Sequence, residues 1–153
     1  MLEVNKLIIK PTKANDINLL HNDLRKEDRE ELELLNLTPL EALLEGYAYS
    51  AECYSVFVNQ DIIGMFGIAT HYQYQKLDIP RIWYLGNDKI NLVPKQWYKT
   101  SKYYINKFYK KYGTLTNIIW LKNKKIRQWL KHLGAIFDTP VNDFNHFYIC
   151  KEI

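Results

Sequence analysis

The chain has 153 residues, which is enough for one domain that spans residues 1–153 and buries a sizeable core. Hydrophobic residues make up 47% and charged residues 25% of the sequence, the ordinary range for a globular protein. No apolar run approaches the roughly 20 residues of a membrane-spanning helix, so the sequence predicts no membrane partner.

Charge is distributed unevenly within a net charge of +4. The segment from Lys89 to Phe137 contains 12 Lys or Arg residues and no Asp or Glu, whereas acidic residues cluster in 23–45. This asymmetry predicts a basic surface in the C-terminal half, formed by helices 95–112 and 123–133, and an acidic surface in the N-terminal half. A basic surface of this kind suits acidic proteins or nucleic acid.

Cysteine and histidine usage argues against disulfides and metals. Cys53 and Cys150 lie far apart within apolar patterns, so we predict two buried free thiols in a reducing compartment. The four histidines show no metal-ligand spacing, and the sequence predicts no metal site. Met1-Leu2-Glu3 does not open a basic segment followed by an apolar core, so we expect no signal peptide.

The N-terminal part of the chain predicts a strand and three helices. The strand is the apolar run 7–9, and Thr12 or Asn15 caps the first helix. The second helix covers roughly 26–36, with acidic residues in the first turn, where the helix dipole favours them.

The third helix has the clearest start signal in the sequence. Thr38 is the cap, Pro39 follows at the first helical position, and Glu41 stands at the third. Gly46 is expected to end this helix.

The middle of the chain predicts a hairpin, a loop and a further strand. Residues 51–58 and 62–70 read as two strands joined by a turn at 59–61. The polar and aromatic segment 71–80 is predicted to be a loop that ends at Pro80. The apolar run 81–86 is the next strand.

The C-terminal half predicts alternating helices and strands. Pro94 opens a long helix with one apolar face and lysines near the opposite face. The apolar face consists of Trp97, Ser101, Tyr104, Ile105, Phe108 and Tyr112. A strand at 116–121 is followed by a helix that Asn123 caps and Gly134 ends. Extended segments at 135–137 and 144–150 complete the chain.

The predicted order is β-α-α-α-β-β-β-α-β-α-β-β. Strands joined by tight turns, followed by strand–helix alternation, indicate an α/β (α+β) fold with a mixed sheet and helices on both faces.

This order and several motifs resemble the GCN5-related N-acetyltransferase (GNAT) superfamily. The run Asn-x-x-Ile-x-x-Trp-Leu-x-x-x-Gly-Ala, from Asn123 to Ala135, is similar to the Asn-x-x-Ala-x-x-Leu-Tyr-x-x-x-Gly-Phe of that family. A closer resemblance is to a bacteriophage subfamily of GNAT-like proteins that includes internal virion protein A of podoviruses. The features that carry it are RIWYLGND, KQWYKTSKYYINKFYKKY and NIIWLKNKKIRQWLKHLGAIF. The resemblance implies a GNAT-like acyl-CoA N-acyltransferase fold.

The resemblance also implies where acetyl-CoA would bind. GNAT proteins hold the cofactor pyrophosphate on a glycine-rich turn at a helix N-terminus, because only glycine allows that close approach. The matching link, 86–94, has one glycine at its start and none where the helix opens. Lys89 and Lys95 remain as cations that attract phosphate without a shaped turn.

Other cofactor contacts need no special side chain. In GNAT proteins the fourth strand diverges from the fifth, and its backbone pairs with the pantetheine arm of CoA. The resemblance assigns this role to Tyr84, Leu85 and Gly86. Asn123 matches a family position near the cofactor, although a simple helix cap explains it as well.

The catalytic groups of the family are not recognisable in this sequence. A carboxylate on or near the fourth strand often serves as general base, but 81–86 carries none, and the nearest, Asp88, reads as a turn residue. Leu130 stands where the family has its general-acid tyrosine. The substitutes that we consider are Tyr103, Tyr104 and Tyr148. No catalytic residue is therefore predicted.

Three hypotheses of function follow. The first is a bacteriophage GNAT-fold protein that has lost catalysis and acts in virion assembly or as a virion component, in the virion or the host cytoplasm, beside other virion proteins. The second is an active acetyl-CoA-dependent N-acetyltransferase that modifies a protein or a small amine. The third is a nucleic-acid-binding module in which lysines contact phosphates and aromatic rings stack on bases. Against the third, the helical or strand spacing of the aromatic residues favours a core position. These residues are Trp97, Tyr104, Phe108, Trp120 and Trp129.

Overall fold

The computed structural model describes residues 5–153, so the expectation about Met1-Leu2-Glu3 lies outside the described residues. The elements follow the predicted order, with a 3-10 helix (Asp88–Leu92) added before the long helix. The strands are β1 (Leu7–Pro11), β2 (Ser50–Val58), β3 (Asp61–Tyr72), β4 (Gln75–Gly86), β5 (Leu115–Trp120), β6 (Ile136–Phe137) and β7 (Phe144–Ile149). The helices are α1 (Ala14–Leu20), α2 (Lys26–Leu34), α3 (Pro39–Tyr49), α4 (Pro94–Tyr112) and α5 (Lys124–His132).

The strands form one mixed sheet in the order β1-β2-β3-β4-β5-β7-β6. Neighbouring strands are antiparallel except for β4 and β5, which are parallel. The predicted turn after β2 is present, because Asn59 and Gln60 both adopt positive φ, as tight hairpins require. The predicted α/β fold class with a mixed sheet is confirmed.

Side chains that alternate along the strands supply the two faces of the sheet. On β4, Ile82 and Tyr84 pack against the core beneath α4, whereas Trp83 and Leu85 pack against the core beneath α1, α2 and α3. The aromatic residues considered above as possible base-stacking groups lie in or against the core, as their spacing predicted. Trp97, Phe108 and Trp120 are buried, and Tyr104 and Trp129 pack against the core partly buried.

The end of α3 differs from the prediction. The helix continues past Gly46 to Tyr49, so Gly46 lies inside it. A Cβ on Gly46 would lie 2.6 Å from the ring of Trp83. The glycine therefore permits close packing of α3 on β4, and this tertiary requirement is invisible to a local stop signal.

The predicted loop at 71–80 is wrong, because these residues extend β3 and β4 into a hairpin. His71 pairs with Lys76 and Tyr72 with Gln75, and the turn residue Gln73 has a φ of 55°. Most side chains of this hairpin are exposed. The alternation of apolar and polar residues that marks a half-buried strand is therefore missing.

Two smaller predictions also need correction, the cap of α1 and the burial of the cysteines. The cap of α1 is Lys13 and neither Thr12 nor Asn15. Cys150 is exposed just after β7, while Cys53 is half-buried on β2, and burial raises the pKa of the Cys53 thiol to about 11.

Among the described residues, no helix is long and apolar enough to cross a membrane.

Candidate functional site

The parallel strands β4 and β5 diverge in the middle of the sheet. Within the described residues they pair only at Arg81 and Thr116, near the start of β5. Beyond that point, the Asn117 side-chain amide donates a hydrogen bond of 2.7 Å to the Ile82 carbonyl, and this contact spans the widening gap. Beyond it, β4 and β5 no longer pair with each other, while β4 still pairs with β3 and β5 with β7.

A cavity of about 310 Å³ occupies this gap and reaches both sides of the sheet. Aromatic rings form much of its wall on the α4 side. The ring centroid of Trp97 lies 4.9 Å from that of Tyr84 and 6.1 Å from that of Trp129. On the other side its wall includes Asp28 and Glu31 of α2. The gap therefore holds an apolar cavity with carboxylates at one side.

Helix α2 supplies hydrogen-bond acceptors to both diverging strands. The carboxylate of Asp28 accepts the backbone N–H of Gly86 at 3.1 Å on β4. The carboxylate of Glu31 accepts the backbone N–H of Trp120 at 2.7 Å on β5. These two acidic side chains thus bond the backbone of both strands that border the gap.

Asp28 is held in a buried ion pair. An Arg25 guanidinium nitrogen lies 2.6 Å from Asp28 Oδ1, and both side chains are at most 6% exposed. The Arg25 backbone N–H also donates to the Gly86 carbonyl at 2.8 Å. The start of α2 is therefore attached to the end of β4 through both backbone groups of Gly86.

Glu31 is a candidate functional residue that sequence reasoning missed. Burial raises the pKa of its carboxyl to about 7, although the Trp120 N–H acts in the opposite direction. A signal was present in the sequence: Asp28, Glu31, Leu32 and Leu35 follow i, i+3, i+4, i+7 spacing. The carboxylates therefore share a helix face with leucines, instead of lying on an exposed acidic face.

The predicted cofactor residues of β4 have structural roles. A Cβ on Gly86 would contact the Tyr84 hydroxyl and lie 2.6 Å from the Ile63 carbonyl oxygen. Gly86 is thus required by packing within the sheet. The Tyr84 hydroxyl is buried with no protein hydrogen-bond partner among the described residues, and burial raises its pKa. Leu85 packs on the α1–α3 side of the sheet.

The link from Gly86 to Pro94 is not an open glycine turn. Asn87 donates its backbone N–H to the Ile63 carbonyl at 2.9 Å, and its side-chain oxygen accepts the N–H of Lys89 at 3.0 Å. The Val93 N–H bonds the Ile90 carbonyl within the 3-10 helix. The backbone N–H groups of Asn87, Lys89 and Val93 are therefore already used within the protein.

The two lysines that were predicted to attract phosphate are both exposed, but their surroundings differ. Lys89 forms an exposed ion pair with Asp61 at 3.2 Å. Lys95 is exposed in the first turn of α4. Asp88 is exposed in the 3-10 helix, outside the cavity wall.

Asn123 stands at the cap position of α5 as predicted, but its side chain makes no capping hydrogen bond. It is 2% exposed, lines the cavity, and its Oδ1 has no protein partner in the described chain. Leu130, where the family has tyrosine, is buried against Ile119 and Phe147. Of the substitute tyrosines, Tyr103 is 62% exposed, and only Tyr104 lines the cavity. Within residues 5–153, no group of three potential metal ligands is present.

Solved structures, several of them acetyltransferases, superpose on nearly the whole chain. The GNAT domain of S. lividans PAT matches with a TM-score of 0.68 and 8% identity, over 95% of this chain and 96% of that one. The protein PH1933 from Pyrococcus horikoshii OT3 matches with a TM-score of 0.68 and 13% identity, over 97% and 100% of the two chains. The chain has the GNAT fold. Vibrio cholerae spermidine N-acetyltransferase, solved in complex with CoA and spermine, also shares this fold, with a TM-score of 0.62, 14% identity and 94% of each chain covered.

Sequence comparison gives a narrower match within this GNAT fold. The family model of the bacteriophage T7 probable scaffold protein Gp13 matches residues 75–141, from β4 to just past β6. This segment is less than half of the chain. No curated protein matches the sequence.

Proposed function

We propose that this chain is a bacteriophage protein that keeps the GNAT fold without catalysing acyl transfer, and that it acts in virion assembly or as a virion component. The observation that carries the proposal is the position of Asp28 and Glu31, whose carboxylates bond the backbone of both diverging strands. The match of residues 75–141 to a probable scaffold protein supports the assembly role.

The residues in the gap do not fit acetyl-CoA. Pantetheine would compete with Asp28 and Glu31 for the backbone N–H groups of Gly86 and Trp120. Its pyrophosphate would meet a link in which the N–H groups of Asn87, Lys89 and Val93 are already bonded and where Asp23 bonds the Asn87 side chain at 3.0 Å. Carboxylates at this place repel a second anion.

The basic helices α4 and α5 supply the surface through which the protein would meet acidic virion proteins or packaged DNA. Lys95, Lys99 and Lys131 are exposed along them, while Trp97, Phe108 and Trp129 lie in or against the core. Contact with DNA would then rest on phosphates and fall steeply with added salt. The host cytoplasm and the virion are the locations that agree with this role.

The decisive experiment is a calorimetric titration of the full chain with acetyl-CoA at low salt, up to about millimolar ligand, where binding is worth roughly 4 kcal/mol. We expect no saturable heat and no thermal shift. Saturable micromolar binding would contradict the proposal. In parallel, peptides of this protein should be found in purified, nuclease-treated virions, or a deletion strain should form defective particles; the absence of both would reject the assembly role.

An active N-acetyltransferase is the second candidate, and one observation favours it. Glu31 lines the cavity with a pKa of about 7, which suits a general base near neutral pH. Its test is CoA release from acetyl-CoA across a panel of amines and lysates. Activity that Glu31→Gln abolishes and Glu30→Gln retains would move this candidate to first place.

A further inference from the structure

The outward side of α3 carries an apolar stripe that stays exposed in the described structure of residues 5–153. Leu40, Leu44 and Tyr47 recur at i, i+4 and i+7, so they share one side of the helix, and they are 37%, 48% and 41% exposed. We call Leu40, Leu44 and Tyr47 the α3 face. Neighbouring exposed apolar side chains of this kind are typical of an interaction surface.

Helices α2 and α3 expose more acidic than basic residues. Glu27, Glu33 and Glu41 are exposed, against the exposed cations Lys26 and Arg29. The buried Arg25 and Asp28 and the cavity residue Glu31 do not contribute to this surface. A partner of this face would therefore combine exposed apolar or aromatic groups with positive charge.

Helix α4 presents such a surface. Tyr98 and Tyr103 are 39% and 62% exposed on its outward side. Lys95, Lys99 and Lys102 lie beside them and form no salt bridge within the described residues. We call these five residues the α4 face. Since 89–137 contains no acidic residue, nothing in that segment neutralises it.

The two faces cannot meet within one molecule. Helix α3 packs on one side of the sheet, where Leu43 and Met65 share a core, and α4 packs on the other, where Trp97 and Phe108 share a core with β2 and β3. We propose that the α3 face of one copy of this chain binds the α4 face of a second copy. Opposite charges steer such an encounter and fix its orientation.

A contact between two different faces is head-to-tail, so each copy keeps one free face and further copies add until a ring closes or a filament grows. This inference rests on the proposed assembly role, since it names the partner in that assembly. The acetyl-CoA titration and the virion analysis test the role itself, whereas self-association is measured on purified protein without either.

The test is sedimentation velocity on the full chain over a range of concentrations at low and high salt. We expect the average mass to rise above 18.3 kDa with concentration at low salt, and to return to it at high salt. Leu44→Lys disrupts the α3 face and Lys95→Glu/Lys99→Glu disrupts the α4 face. Each variant should associate at least tenfold more weakly than the wild type while keeping its circular dichroism spectrum.

Mixing the two variants gives the sharpest result. Each retains one intact face, so an equimolar mixture should form dimers and nothing larger. Ile136→Lys, on the edge strand β6, and Lys6→Glu/Lys10→Glu, at β1, make matched charge changes on exposed residues elsewhere and should associate as the wild type does. The proposal is overturned by a wild type that stays monomeric throughout, by variants that associate undiminished, or by a mixture that remains monomeric.

Discussion

Asp28 and Glu31 lie one turn apart on α2, and their surroundings give the two carboxyl groups different properties. Asp28 is paired with Arg25 at 2.6 Å. Glu31 forms no salt bridge within the described residues, and the hydrogen bond from the Trp120 N–H and the charge of Arg25 offset its burial only in part. Its carboxyl therefore titrates near neutral pH, with a pKa of about 7.

Glu31→Gln should change the pH dependence of stability. Because the folded pKa is about 7 against an ordinary 4.5, the folded protein binds more protons than the unfolded chain between these values. The stability contributed by the protonated group is full below about pH 4.5 and is lost as the pH rises to about 7. The wild type should therefore lose about 2 kcal/mol more than Glu31→Gln in free energy of unfolding between pH 5 and pH 8.

Urea unfolding of both proteins at the two pH values measures this difference. Glutamine keeps an oxygen that accepts the Trp120 N–H, so the hydrogen bond itself is preserved. Glu30→Gln is the control, because Glu30 lies on the outer side of the same helix in an exposed pair with Lys26. Parallel pH profiles for the wild type and Glu31→Gln would show that Glu31 titrates as an ordinary carboxyl group.

At the scale of elements, the attachment of α2 to β4 decides what the gap contains. The backbone of Gly86 bonds Arg25 and Asp28, so the helix is fixed beside the end of the strand by polar contacts. The 3-10 helix that follows uses backbone donors of the link internally. Because of these contacts, the link between β4 and α4 is a hydrogen-bonded 3-10 helix instead of an open glycine turn.

Asp28→Ala should lower the free energy of unfolding by about 3–5 kcal/mol, because it leaves the Arg25 guanidinium buried without its partner. The double variant Arg25→Met/Asp28→Leu removes both charges and should lose less than the single variant. Glu27→Ala, an exposed neighbour on α2, is the control and should change stability by less than about 0.5 kcal/mol. Chemical denaturation measures all three; a single variant as stable as the control would show that the pair contributes little.

At the scale of the whole molecule, the core joins the two halves of the chain. The core beneath α4 combines Trp97 and Phe108 with Val56, Phe66 and Ile68 of β2 and β3. The segment matched by the scaffold-protein model starts at β4 and so lacks these strands. Sequence similarity in this region therefore does not define an independent folding unit.

A fragment of residues 75–153 should consequently fail to fold by itself. It would expose the β4 edge that pairs with β3 and the apolar face of α4. We expect a weak near-ultraviolet circular dichroism signal and no cooperative transition in urea, whereas the full chain shows both. Cooperative unfolding of the fragment would show that its own contacts suffice.

The order of elements could be read from the sequence because its signals are local. Thr38 and Pro39 start α3, Pro94 starts α4, and Gly134 follows α5 with a φ of 84°. Caps, proline and glycine act on the backbone beside them, so a neighbouring stretch of sequence is enough to predict their effect. The resemblance to GNAT proteins added the arrangement of the strands.

The content of the candidate site was decided only by the tertiary structure. Gly46 lies inside α3, where Trp83 packs closely against it. The carboxylates of Asp28 and Glu31 accept hydrogen bonds from residues 58 and 89 positions further along the sequence. The cost of burying a carboxylate depends on which distant donors surround it, and no local pattern encodes that. The sequence therefore determined most of the helices and strands and the uneven charge, while long-range packing determined that Asp28 and Glu31 of α2 bond the two strands that border the cavity.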